Sequence, residues 1–145
     1  NFTKHWKNLE KDGFITNEEF VNATFTQHYR TLDEFRKPFD DANSEVTKSG
    51  LILKSCKTMF TDCPFKIHYN NNKSNMSSKQ FAESLIPTMR SWSETVFKTA
   101  LEKRNRNEIN TIVDQFYNSY MEEIANSPDG HAMDYIHIVM DIEKV

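Results

Sequence analysis

The sequence contains only three glycines, Gly13, Gly50 and Gly130, and they lie far apart. A loop that cradles a phosphate or a dinucleotide needs clustered glycines, because only glycine lets the backbone approach the ligand so closely. The chain therefore has no such loop. Cysteine is equally scarce. Only Cys56 and Cys63 are present, which indicates a reducing compartment rather than a disulfide-stabilised fold.

Long apolar runs and charge of one sign are also missing. Mean hydropathy is −0.72, and no apolar run approaches the ~20 residues that a membrane helix needs. The 18 Lys and Arg and the 21 Asp and Glu residues are interspersed, whereas a nucleic-acid surface would show clustered cations. These features predict a cytoplasmic protein with no nucleic-acid and no membrane partner. Four Asn-x-Ser/Thr sequons would suit a glycoprotein, but we interpret them as chance matches, since nothing else indicates secretion.

Patterns typical of metal sites and of catalytic groups are absent. No two of the five histidines have the i,i+4 spacing that places two ligands on one helix face. The acidic stretch 40–45 lacks the turn glycine of a calcium loop. Neither cysteine has a base and an orienting group nearby in sequence. The sequence therefore predicts no metal ion and no catalytic residue.

Capping patterns and periodicity predict a single α/β region. Helix starts are expected at Thr16 to Glu19, Thr31 to Glu34 and Ser77 to Gln80. Alternating patterns predict strands at 51–60 and 134–145. The predicted order along the chain is short helices and a connection in 1–45, a strand and turn in 46–69, two long helices in 77–127, and a terminal strand in 133–145.

The first long helix carries the most informative pattern. Its apolar stripe is formed by Phe81, Leu85, Met89, Trp92 and Val96. Pro87 interrupts this stripe and is expected to kink or split the helix, at a cost of ~3 kcal/mol in an ordinary helix interior. A bend with a methionine and a tryptophan suits a pocket wall better than the interior of a helix bundle.

Three segments together resemble a known family. They are Trp6-x-x-Leu9-x-x-x-Gly13-x-Ile15 followed by 25–35, the strand that begins at Gly50-Leu51, and Met89-Arg90-Ser91-Trp92 with the terminal strand 135–144. In order and spacing they resemble the C-terminal half of the SABATH family, in its non-plant form. These are S-adenosylmethionine-dependent carboxyl methyltransferases.

The resemblance implies the C-terminal part of a Rossmann-like methyltransferase, mostly a helical cap plus the last strands of the sheet. S-adenosylmethionine would be bound mainly by a missing N-terminal half, and no residue of this chain would bind it. The acceptor would be a small-molecule carboxylate. A carboxylate is already a nucleophile, so methyl transfer needs positioning and exclusion of water rather than a catalytic dyad.

The resemblance also implies substrate-binding residues. The segment from Phe25 to Tyr29 matches a family region near the substrate, although it lacks that region's Asn and Pro and is one residue shorter. Met89 matches a pocket residue at a Met-Arg-Ala helix start, and Tyr135 matches a pocket aromatic. We add Trp92 to these predicted substrate-binding residues because it lies on the same apolar stripe as Met89.

Ordinary core packing remains an alternative for each of these side chains, because methionine and aromatic stripes usually belong to a core. An alternative for the whole chain is a non-catalytic helical interaction module, in which the helix 106–126 presents its apolar face to a partner. A homodimer is compatible with either interpretation.

Overall fold

A computed structural model describes the whole chain, residues 1–145. The fold is mixed α/β, as predicted, and divides into a helical unit (1–26 and 64–133) and a sheet unit (27–63 and 134–145). No helix is both long enough and apolar enough to cross a membrane. The elements are α1 (Phe2–Lys11), α2 (Asn17–Asn22), α3 (Leu32–Asp40), α4 (Glu45–Lys48), β1 (Leu51–Thr61), α5 (Pro64–Asn71), α6 (Ser78–Ala100), α7 (Arg106–Asn126), a 3₁₀ turn (Pro128–Gly130) and β2 (Tyr135–Lys144).

Local capping chemistry fixes the helix starts. Thr16, Thr31 and Ser77 each accept the N–H three residues on, and that residue's side chain accepts the cap's own N–H. Each pair satisfies two backbone donors that a helix start otherwise leaves free. All three predicted capping boxes are therefore confirmed. Asn105 forms a fourth box at the start of α7. Just after α1, Gly13 has a φ of +76°, which suits glycine far better than other residues.

The core of the helical unit lies between α6 and α7. On α6 the buried side chains recur in steps of four: Phe81, Leu85, Met89, Ser93 and Phe97. The predicted stripe is confirmed over its first half, whereas Trp92 and Val96 lie beside the buried row. The facing row on α7 is formed by Ile112, Val113, Phe116, Tyr117, Tyr120 and Ile124, all buried.

Helix α6 runs without a break through Pro87. Proline removes one backbone N–H and leaves the carbonyl four residues earlier, that of Glu83, without its helical donor. Pro87 and Glu83 are both exposed, so water can reach this part of the helix. The splitting considered from the sequence does not occur, and the kink at Pro87 stays a prediction.

The sheet unit consists of β1 and β2 with α3 and α4 packed against β1. The strands pair antiparallel, from Leu51 opposite Lys144 to Thr61 opposite Tyr135, with a bulge between Leu53 and Ser55. None of the side chains in these four elements is fully buried. The two-stranded sheet therefore lacks a closed core of its own. An isolated two-stranded ribbon is at best marginally stable in water.

Two short helices depart from the sequence-based prediction. The segment predicted as a turn after β1 forms α5, which begins at Pro64, and α4 occupies part of the connection before β1. Proline fits the first turn of a helix, where its missing N–H has no partner to lose. Tyr69 is the one buried residue of α5, so this helix gives almost no apolar periodicity to detect.

Candidate functional site

An aromatic cluster in the helical unit surrounds Phe2, at the first position of α1. The Phe2 ring centroid lies 6.0 Å from that of Phe25, 5.7 Å from Trp92 and 5.7 Å from Phe97. Phe25 and Trp92 also contact each other, with centroids 6.0 Å apart. Such spacings are typical of attractive edge-to-face and offset arrangements. The structure thus brings together two of the predicted site residues, Phe25 and Trp92.

A small cavity of about 70 Å³ adjoins this cluster. Trp6 on α1 is 2 % exposed, and its indole N–H has no hydrogen-bond partner. Buried polar groups are nearly always paired, so an orphaned donor beside a cavity calls for an explanation. The lining is otherwise aromatic and small: Phe2, Thr3, Trp6, Phe20, Ala23, Phe25 and Phe97.

Met89 lies one turn before Trp92 and is buried. Its carbonyl accepts the hydroxyl of Ser93 at 2.6 Å, and the Ser93 oxygen lies 2.6 Å from the Tyr117 hydroxyl. Ser93 has only one proton and donates it to Met89, so Tyr117 donates to Ser93. Burial raises the pKa of Tyr117 to about 12. Tyr117 therefore acts here as a neutral donor that fixes the packing around Met89.

Arg90 connects α6 to α7. Its guanidinium lies 2.6 Å from Glu94 and 2.7 Å from Asp114, over the ring of Tyr117. Burial alone would lower the pKa of Arg90, but the hydrogen bonds to the two carboxylates outweigh it and the pKa is raised. Arg90 is thus a charged link between the two helices, and its partners leave it little freedom to reach a ligand.

The other two predicted residues belong to the sheet unit. Tyr29 is 84 % exposed and lines an open groove of about 470 Å³. Tyr135, at the start of β2, is half-exposed and stacks on His137 with centroids 5.8 Å apart. The groove is lined by His28, Tyr29, Arg30, Phe35, Ile136, His137 and Ile138. Tyr29 and Tyr135 therefore lie near the same strand, but Tyr135 does not line the groove.

Sequence reasoning missed the contributions of α1 to the cavity. Phe2 and Trp6 are four residues apart, the spacing that puts two side chains on one helix face. This signal was available in the sequence, but nothing in it showed that the face would meet Phe25 and Phe97. Chemically, the cavity suits a small apolar group, because its lining is mostly aromatic. Its lining contains no titratable side chain.

No protein-family model matches this chain, and no curated protein is significantly similar to it.

Proposed function

We propose that this chain is the cap and substrate-pocket portion of an S-adenosylmethionine-dependent methyltransferase that acts on a small-molecule carboxylate. S-adenosylmethionine, bound by the N-terminal half, would supply the methyl group, and the residues of this chain would hold the acceptor carboxylate. The reaction needs no proton transfer from the protein. The cap has to orient the acceptor and exclude water.

The observation that carries the proposal is the aromatic cavity with the unpartnered N–H of Trp6. An unsatisfied buried donor costs about 1–3 kcal/mol. The Trp6 nitrogen has almost no accessible surface in the free chain, so a bound acceptor atom would recover this cost only after the indole turns towards the cavity. A carboxylate oxygen is a strong acceptor for such a donor. The volume of about 70 Å³ admits a carboxylate and the atoms next to it, and the partly exposed rings of Phe2 and Phe25 can contact the rest of the acceptor.

The order of the elements also supports the proposal. The resemblance to the SABATH family implies that β1 and β2 are the last strands of a larger Rossmann-like sheet, with a helical cap between them. The chain has this order, because α5, α6 and α7 lie between the two strands. Large apolar side chains on the ribbon, including Phe60 and Ile136, are exposed. The remaining strands and helices of such a sheet would cover them.

A titration followed by NMR tests the pocket in this chain. Benzoate should shift the indole N–H resonance of Trp6, whereas benzyl alcohol, which has the ring without the carboxylate, should shift it much less. The backbone N–H of Lys57 on β1, in the sheet unit, is the internal control. Equal shifts at Trp6 and Lys57, or none at Trp6, would contradict the assignment of the pocket.

A thermal melt tests the methyltransferase assignment. S-adenosylhomocysteine at 100 times its dissociation constant should stabilise the full-length protein by about 2.7 kcal/mol. This chain by itself should show no shift, because the resemblance places the cofactor site in the N-terminal half. Absence of any shift with the full-length protein would count against the whole proposal, even if benzoate binds.

The alternative, a non-catalytic interaction module, was based on the apolar face of α7. That face is buried within the helical unit against α6, so it is not available to a partner. An interaction role would have to use another surface of the chain. A strictly monomeric chain in light scattering would count against an interaction module that self-associates.

A further inference from the structure

Three polar side chains form a hydrogen-bonded row at the contact between α1 and α7. The Nδ1 atom of His5 lies 3.0 Å from the hydroxyl oxygen of Ser119, and its Nε2 atom lies 2.8 Å from a carboxylate oxygen of Glu123. Ser119 and Glu123 are one turn apart on α7, so both face the same ring. His5 is 5 % exposed, whereas Ser119 is exposed. A buried imidazole thus connects a carboxylate to a hydroxyl that solvent can reach.

The partners of Glu123 determine which nitrogen of His5 carries the proton. Hydrogen bonds from Lys4 and His5 lower the pKa of Glu123, so the carboxylate is ionised at neutral pH and can only accept. Nε2 therefore holds the proton that it donates to Glu123. Burial lowers the pKa of His5, so the ring is neutral and Nδ1 keeps a free lone pair. Ser119 then donates its hydroxyl proton to Nδ1.

This arrangement meets the geometric requirement for an activated nucleophile. A serine hydroxyl is weakly nucleophilic until a base in hydrogen-bond contact takes its proton, and a third group orients that base. Here His5 is the base and Glu123 is the orienting group. The Tyr120 ring lies 5.2 Å from the His5 ring by centroids, so aromatic packing also restrains the imidazole.

The surface around Ser119 indicates the class of electrophile. Ser119 lies in an open groove of about 560 Å³ along α7, lined also by Thr111, Asp114, Gln115, Asn118 and Glu122. The lining includes two acidic residues and no basic one, so it disfavours anions. Backbone N–H groups around Ser119 are already bonded within α7, and they cannot stabilise an oxyanion. The site therefore suits acyl donors that have a good leaving group and are neutral or cationic.

We propose that Ser119 is a base-activated nucleophile that accepts an acyl group from neutral or cationic activated esters. The Ser119 oxygen bonds to the acyl carbon while its proton passes to Nδ1 of His5. The bond from the acyl carbon to the leaving oxygen then breaks, and the leaving group takes that proton. Water, activated by the same nitrogen, hydrolyses the resulting serine ester. This activity is separate from methyl transfer and uses none of the cavity-lining residues.

Covalent labelling tests the proposal. The full chain is incubated with p-nitrophenyl acetate, and the modified peptides are mapped by mass spectrometry. Ser91 is the matched control, because it is an exposed serine on a helix whose hydroxyl donates to the Thr88 carbonyl instead of to a base. General-base assistance is worth roughly 100-fold or more, so Ser119 should be acetylated at least that much faster than Ser91. Equal rates, or no acetylation of Ser119, would overturn the proposal.

Two further variants keep the test decisive. His5→Gln should remove the labelling of Ser119 while circular dichroism shows that the chain is folded. Because His5 is buried, a second measurement uses Ser119→Cys, which changes an exposed site. The introduced thiol should react with iodoacetamide at pH 6 faster than the thiol introduced by Ser91→Cys, because transfer of its proton to His5 gives a thiolate paired with the imidazolium. Equal alkylation rates would show that His5 does not act as a base there.

Discussion

The charge of Glu19 contributes to the stability of the helical unit. Its carboxylate accepts two hydrogen bonds from Arg104, at 2.5 and 2.8 Å, and the backbone N–H of Thr16 at 2.7 Å. The hydrogen bonds from Arg104, with that from Thr16, outweigh burial and lower the pKa of Glu19 from 4.5 to about 2. Glu19 thereby joins α2 to the turn between α6 and α7.

The size of this contribution follows from the pKa change. Each pKa unit between folded and unfolded chains corresponds to 1.36 kcal/mol, so the full shift of Glu19 corresponds to about 3 kcal/mol at neutral pH. The folded pKa is the lower one, so this stabilisation is present above pH 4.5 and is lost as the pH falls towards 2. Partial exposure of Arg104 allows some screening. We therefore expect Glu19→Gln to lower the free energy of unfolding by about 2 kcal/mol at pH 7.

Urea unfolding at several pH values measures this loss. The difference between the native chain and Glu19→Gln should be largest at pH 7 and should shrink steadily below pH 4.5. Glu18→Gln is the matched control, since Glu18 also pairs with a basic residue, Lys103 at 2.6 Å, but both of those side chains are largely exposed. It should have a much smaller effect. Equal losses for the two variants, or a loss that is independent of pH, would refute the reasoning.

Three further changes have clear expected results in the same urea assay. Gly50→Ala should destabilise by about 2 kcal/mol or more, because φ is +78° and a Cβ would lie 2.6 Å from the Val145 carbonyl oxygen. Gly13 also has a positive φ, but an added Cβ would meet no atom within 4 Å. Gly13→Ala should therefore lower the free energy of unfolding by about 1 kcal/mol. Phe97→Ala should cost about 3–5 kcal/mol, because the ring is fully buried. A larger loss for half-exposed Trp92→Ala than for Phe97→Ala would contradict the assignment of the core.

The parts of the fold that depend on local chemistry could be predicted from the sequence. The capping boxes at Thr16, Thr31 and Ser77 each placed a helix start at the correct residue. The strand β1 differs from its prediction by one residue, at Thr61, and α7 begins and ends as predicted. These signals are readable because the interacting groups lie within four residues of one another.

The missed helices lack such signals. Helix α4 has only four residues, too few for one period of an apolar pattern to repeat. Helix α5 follows β1 directly and its one buried side chain is Tyr69. Its stability has to come from contacts with residues distant in sequence, such as the stacked ring of Phe81 on α6. Periodicity cannot report a helix that is held mainly by tertiary contacts.

The candidate site could be predicted only in part, for the same reason. Phe25 and Trp92 contact each other and both contact Phe2, but no spacing in the sequence links residues 2, 25 and 92. No spacing in the sequence relates His5 to Ser119 and Glu123, which are 114 and 118 residues away. Only the packing of α1 on α7 brings these residues together.

Both candidate sites depend on the position of α1. Phe2 and Trp6 line the cavity, while His5, between them in sequence, is hydrogen-bonded to Ser119 on α7. Adjacent helical residues do not share a face, so Trp6 and His5 have different neighbours, and one short helix supplies both the aromatic wall and the imidazole. A variant that detaches α1 should therefore abolish benzoate binding and serine labelling together. Ser119→Ala changes only the exposed hydroxyl and should abolish labelling while leaving the Trp6 response to benzoate unchanged, which separates the two activities in one molecule.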